Sequence, residues 1–115
     1  MLGVTQLNSV VSVTMTKVQQ IQPAEIEKIV GDKKNFILDV RTPPEFAQVS
    51  LPRAHLIPVQ VFESRTAELP KDKSTPILVY CAHGRRSMVA CHYLTQLGYT
   101  NLMNLVGGIA ALHGE

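Results

Sequence analysis

Cys81, His83, Gly84, Arg85, Arg86 and Ser87 fall within one short run, Cys81-Ala82-His83-Gly84-Arg85-Arg86-Ser87. A cysteine does nucleophilic chemistry as its thiolate, and neighbouring positive charge favours that form. Arg85 and Arg86 are permanently charged, and His83 adds a third positive charge when protonated. Gly84 admits backbone conformations in which successive N–H groups turn toward one anion. The run therefore reads as a thiolate nucleophile in a cradle that also holds an anionic substrate. The alternative, a small buried apolar cysteine, does not account for the glycine and the two arginines around it.

The flanking residues position this run. Ile77, Leu78, Val79 and Tyr80 form a β-branched and apolar stretch that predicts a buried strand. Ser87 is expected to cap a helix in which Met88, Cys91, Leu94 and Leu97 recur at three-residue steps and which ends at Gly98. The thiol thus lies between the C-terminal end of a strand and a helix N-terminus, where open α/β sheets bind ligands and where the helix dipole is positive.

The rest of the chain repeats the strand–helix alternation. Lys17–Gln22 predicts a short strand, and Pro23 opens a helix with Ile26, Ile29 and Val30 on its apolar side and Gly31 at its end. Phe36–Val40 is a continuous apolar strand of the kind covered on both faces. Val59–Leu69 predicts a helix, Pro70–Ser74 a turn and Tyr99–Val106 the last strand. Such alternation implies an α/β fold with a largely parallel sheet. Asp39 ends a strand and so lies on the rim that carries Cys81. Arg41 and Glu45 are expected to pair across the turn restricted by Pro43 and Pro44. These three charges either orient the catalytic loop or simply mark the start of a helix.

Composition narrows the function classes. The 115 residues, 45% hydrophobic and 17% charged, suit one domain with its own core. A net charge of +2, spread along the chain, gives no reason to expect a nucleic-acid or membrane partner. Two cysteines do not make a disulfide framework, and no apolar run approaches the ~20 residues that span a bilayer. A cytoplasmic location is expected. Cys81 and Cys91 are not a Cys-x-x-Cys pair, and Cys91 reads as core packing. The four histidines, His55, His83, His92 and His113, lack metal-ligand spacing, so no metal and no cofactor is expected. His55 reads as an ordinary polar residue and His92 as solvent-facing. Residues 1–16 read as an N-terminal extension, disordered or forming an edge strand at Val10–Val13, ahead of a domain over 17–115.

Cys81, Gly84, Arg86 and Ser87 match the Cys-x-x-Gly-x-Arg-Ser loop of single-domain rhodaneses, and the run resembles that sulfurtransferase family. Asp39-Val40-Arg41 with Glu45 and Phe46 is similar to the family's Asp-Val-Arg-x-x-x-Glu-[Phe/Tyr] signature. Gly107-Gly108-Ile109 resembles its Gly-Gly-Ile-x-x-Trp closing helix, with Leu112 in the aromatic position. The chain departs from the pattern between Val49 and Pro58. Val49 and Ser50 stand in place of Gly-His, Arg53 in place of a glycine and Leu56 in place of an asparagine. Arg53 must therefore either accept a strained backbone conformation or avoid it.

The resemblance implies a three-layer α/β sandwich with a five-stranded sheet flanked by helices. It also implies sulfane-sulfur transfer. The Cys81 thiolate would take sulfur from an anionic donor such as thiosulfate and pass the persulfide to cyanide, a cellular thiol or a protein cysteine. Backbone N–H groups from Ala82 to Ser87 would stabilise the sulfur. Arg85 would contact the donor, Arg86 would bind it or turn inward to brace the loop, and His83 would sit at the mouth. A protein-fed persulfide carrier or regulatory module is the second reading. A cysteine phosphatase or arsenate reductase is the third, disfavoured because only Ala82, His83, Gly84 and Arg85 separate Cys81 from Arg86, a loop too short for a tetrahedral phosphate.

Overall fold

The computed structural model describes residues 17–113. The expected strand at Val10–Val13, with the rest of the 1–16 extension, lies outside the described residues. Five strands form one sheet: β1 (Val18–Ile21), β2 (Phe36–Asp39), β3 (His55–Leu56), β4 (Ile77–Tyr80) and β5 (Leu102–Leu105). Their spatial order is β1-β5-β4-β2-β3, and every neighbouring pair is parallel. The helices are α1 (Ile26–Gly31, entered through a 3₁₀ turn at Pro23–Glu25), α2 (Pro43–Gln48) and α3 (Arg85–Gln96). A 3₁₀ turn at Ile109–His113 closes the described chain.

β4 is central and all four of its residues are buried. Its alternation divides the core. Ile77, Val79 and Cys81 join Leu38, Ala90, Cys91, Leu94 and Phe62 on the α3 side. Leu78 and Tyr80 join Ile26, Ile37, Met103 and Ile109 on the α1 side. The strands are apolar throughout because both faces are covered, and the result is three layers.

Three local expectations need correction. Ser87 does not cap α3: the cap is Gly84, in the left-handed conformation at φ 108°, and Ser87 is the third helical residue. The buried face of α3 is Ser87, Ala90, Cys91, Leu94 and Thr95, while Met88 and Leu97 are 41% and 40% exposed. A strict three-residue step drifts around a helix of 3.6 residues per turn, so its two ends leave the core face. The Val59–Glu68 stretch is a series of 3₁₀ turns broken at Val61 and Arg65, with Phe62 its one buried residue. Its apolar residues cluster at one end and give no continuous stripe to stabilise a longer α-helix.

The end of α3 follows the expectation. Gly98 takes φ 98°, its N–H donates to Thr95 O (3.0 Å), and Tyr99 N–H donates to Leu94 O (3.0 Å). This is the Schellman arrangement that uses up the last helical carbonyls. Arg53 accepts the strained conformation, at φ 64°. Its guanidinium donates to Val30 O, to Asp32 O (3.1 Å) and to Asn35 O (3.2 Å). A side chain that satisfies carbonyls at the end of α1 offsets the cost of the turn.

Candidate active site

Cys81 follows β4 directly and is 1% exposed, at the floor of the loop that enters α3. Gly84 N–H donates to its Sγ at 3.0 Å. Among the described residues it is the one backbone N–H that reaches the thiol sulfur itself. The positive end of α3 stands behind it.

The loop is held from behind by the closing segment. Ile109 N–H donates to Cys81 O (2.9 Å) and Ala110 N–H to Ala82 O (3.0 Å). Gly108, at φ 67°, allows this approach, since a Cβ there would sit 2.3 Å from Ala82 O. The carbonyls of Cys81 and Ala82 are thereby occupied. The glycine pair, legible in sequence only as the start of a last helix, is a brace for the Cys81 loop.

Ser87 is fully buried beside the thiol, its Oγ 3.4 Å from Cys81 Sγ. The same oxygen lies 2.6 Å from Asn104 Oδ1 and 3.0 Å from Gly84 O. Asn104 Nδ2 donates to Gln20 Oε1 at 2.8 Å. Gln20, Asn104 and Val79 are adjacent across β1, β5 and β4, so the sheet register puts this polar chain directly under α3. Sequence reasoning missed Asn104 and Gln20. The available signal was a lone amide within the otherwise apolar Leu102–Leu105 strand, because a buried polar side chain needs a partner.

The charged residues sort into two sets. Arg41 does not pair with Glu45. Its guanidinium meets Asp39 Oδ2 (2.7 Å) and Oδ1 (3.0 Å), donates to Val49 O (2.6 Å) and lies over the Tyr80 ring. Arg41 follows Asp39 by only two residues and both are buried, so the nearer carboxylate takes it. None of these bonds reaches the Cys81 loop, and the pair fixes the rim on the α1 side.

Glu45 instead reaches Arg86, Oε1 to Nη1 at 2.8 Å and Oε2 to Nη2 at 2.9 Å. Glu45 Oε1 also accepts the Thr42 N–H and hydroxyl, both at 3.0 Å, closing a capping box at the start of α2. The bound Arg86 guanidinium holds the Glu45 carboxyl down at about 2. Arg86 is thereby a brace for the loop. Arg85 and His83 are exposed at its mouth, and among the described residues Arg85 has no carboxylate partner.

Cys91 is buried one helical turn further along α3, where burial pushes its thiol up to about 12. His55 pairs with Glu68 (2.7 Å) at the far edge of the sheet and His92 is exposed. Among the described residues no group of His, Cys, Asp and Glu is arranged to hold a metal ion. No described helix is long and apolar enough to cross a membrane. The arrangement therefore presents one buried sulfur with an N–H donor and a hydroxyl beside it, and exposed Arg85, without a carboxylate partner among the described residues, in the same loop.

Residues 22–115 match the model of the rhodanese-like domain family. A sulfurtransferase of Allochromatium vinosum is 39% identical over 95 residues, covering 82% of this chain and 87% of that one. The thiosulfate sulfurtransferase PspE of Escherichia coli is 36% identical over 70 residues, covering 61% and 67%. The crystal structure of a rhodanese-related protein from Thermoplasma volcanium superposes with a TM-score of 0.72 at 30% identity, over 84% of this chain and 91% of that one. The chain belongs to the rhodanese-like domain family.

Proposed function

We propose that this protein is a sulfurtransferase that carries sulfane sulfur on Cys81 from a small anionic donor, thiosulfate or a close analogue, to a thiol acceptor. The observation that carries the proposal is the Cys81 sulfur at the N-terminal end of α3, 3.0 Å from Gly84 N–H, with exposed Arg85 in the same loop and without a carboxylate partner among the described residues. Sulfurtransferase relatives support the reaction class. A sulfur 1% exposed at the floor of a loop suits a donor whose reacting atom projects from a small charged head.

In the first half-reaction the Cys81 thiolate attacks the outer sulfur of thiosulfate. A sulfur–sulfur bond to Cys81 forms, the bond to the sulfonate sulfur breaks, and its electron pair leaves with sulfite. The anionic terminal sulfur of the persulfide is then stabilised by the loop N–H and the helix end. In the second half-reaction an acceptor thiolate or cyanide attacks that terminal sulfur, and the electron pair returns to Cys81 as thiolate. Arg85 holds the sulfonate end of the donor equally before and during the reaction, with His83 beside the entrance. No proton transfer to sulfur is needed in either half.

The acceptor is a low-molecular-weight thiol or a protein cysteine, with cyanide serving in assay. Two thiols and no disulfide among the described residues suit work in a reducing cytoplasm. Phosphate and arsenate chemistry are less well served: position 87, where a longer phosphatase loop would put its arginine, holds a buried serine. The test is thiocyanate formation from thiosulfate and cyanide by the parent and by Cys81→Ser. Turnover in the parent and none in the variant supports the proposal. Equal background rates in both refute it for these donors and acceptors.

A further inference from the structure

We infer that Asn104, held by Gln20, decides which way the single hydroxyl proton of Ser87 points, and so sets how readily Cys81 works as a thiolate. Ser87 Oγ has one proton and three neighbours that can accept it: Asn104 Oδ1 at 2.6 Å, Gly84 O at 3.0 Å and Cys81 Sγ at 3.4 Å. Ser87 and Asn104 are buried, at 0% and 4% exposure, so water does not supply the missing partner.

With Cys81 as a thiol the order is complete. The S–H donates to Ser87 Oγ, Ser87 donates to Asn104 Oδ1, and Asn104 Nδ2 donates to Gln20 Oε1. Loss of the thiol proton to solvent reverses the demand at sulfur, which then needs a donor. Ser87 can turn its proton to Sγ only by leaving its own oxygen 2.6 Å from Asn104 Oδ1 with no proton between them. That contact is repulsive. A carboxamide removes the conflict by rotating end for end, because its two ends are nearly the same size and one is a donor. Asn104 Nδ2 then donates to Ser87 Oγ, and Asn104 Oδ1 accepts from Gln20. Gln20 is exposed, and turning its own amide in step gives up only the weak hydrogen bond that Nε2 donates to Met88 Sδ at 3.8 Å. Asn104 is a positioning residue that acts through Ser87.

The inference rests on Cys81 being the nucleophile proposed above, and its test does not use a sulfur donor. The rate of Cys81 alkylation by iodoacetamide at neutral pH is measured in the parent, Asn104→Leu, Ser87→Ala and the double variant, with thermal unfolding followed in each. Leucine fills the space of asparagine without its donor or acceptor. Asn104→Leu is expected to slow alkylation about tenfold in the presence of Ser87 and by less than about twofold in the Ser87→Ala background, since hydrogen bonds to charged groups are worth about that ratio. Gln20→Leu, at an exposed site that leaves the core intact, is expected to slow it about twofold to threefold with the same dependence on Ser87. Equal effects in both backgrounds, or no effect of either substitution, overturn the inference. Failure of thiosulfate to load the parent while this coupling persists would count against the sulfur-transfer reading alone.

Discussion

Glu45 at the start of α2 and Arg86 at the start of α3 form a two-pronged ion pair, 2.8 and 2.9 Å, that ties the Asp39–Phe46 stretch to the Cys81 loop. The geometry is the fork-to-fork match that an arginine and a carboxylate make, which a lysine could not reproduce. It also explains the division of labour between adjacent arginines. Arg86 is spent on the ion pair, and Arg85 stays exposed with no carboxylate partner among the described residues.

This pair carries a pH signature. Its carboxyl stands lowered from 4.5 to about 2 by Arg86, so the stabilisation is present above the unfolded value and is lost as pH falls from 4.5 toward 2. The parent is expected to be more stable than Glu45→Gln at pH 6, and the difference should shrink through that acid window. Urea unfolding at several pH values checks it. A gap that stays constant down to pH 2 contradicts the assignment.

Gly108 predicts a sharper effect. A methyl group there would meet Ala82 O at 2.3 Å, on a backbone already at φ 67°. Gly108→Ala is expected to cost about 2 to 4 kcal/mol, from overpacking plus left-handed strain. Sulfur transfer should fall further than stability alone accounts for, because the carbonyls of Cys81 and Ala82 lose their brace. Chemical denaturation alongside turnover separates the two.

Much of the fold was legible in the chain because local signals agreed with the global arrangement. Ile77–Tyr80 is apolar, β-branched and bounded by turn residues, so its strand was readable, and Gly98 marked the end of α3 for a clear stereochemical reason. What escaped depended on contacts between distant positions. Arg41 was expected to pair with Glu45 across the turn, and the burial of Asp39 beside it decided otherwise. Glu45 found Arg86 across 41 positions, a distance over which no periodicity speaks. Ser87 looked like a cap because serine caps helices, yet Gly84, able to adopt φ 108°, took that place and freed the hydroxyl for the interior. Asn104 was visible only as an anomaly in an apolar strand.

Arg53 separates strain from bonding. Arg53→Ala keeps the left-handed backbone and loses the bonds to Val30, Asp32 and Asn35, whereas Arg53→Gly loses the same bonds but removes the strain. The alanine variant is expected to be the less stable of the two by about 1 kcal/mol. Thermal unfolding of both variants measures the difference, and equal stability would mean that the turn is not strained.

For Arg85 the expected effect is on binding. Arg85→Ala should raise KM for thiosulfate about tenfold with kcat changed less than about twofold, the pattern of a contact made equally before and during reaction. Added salt should weaken the parent's advantage as the exposed charge is screened. An unchanged KM would move the substrate contact elsewhere.

The most direct test of the central claim is intact mass after brief exposure to thiosulfate, for the parent, Cys81→Ser and Cys91→Ser. The account predicts a gain of one sulfur atom in the parent and in Cys91→Ser, removed by cyanide, and no gain in Cys81→Ser. Cys91 is silent because its buried thiol stands at about 12. A sulfur adduct that survives in Cys81→Ser, or one that disappears in Cys91→Ser, would contradict the account.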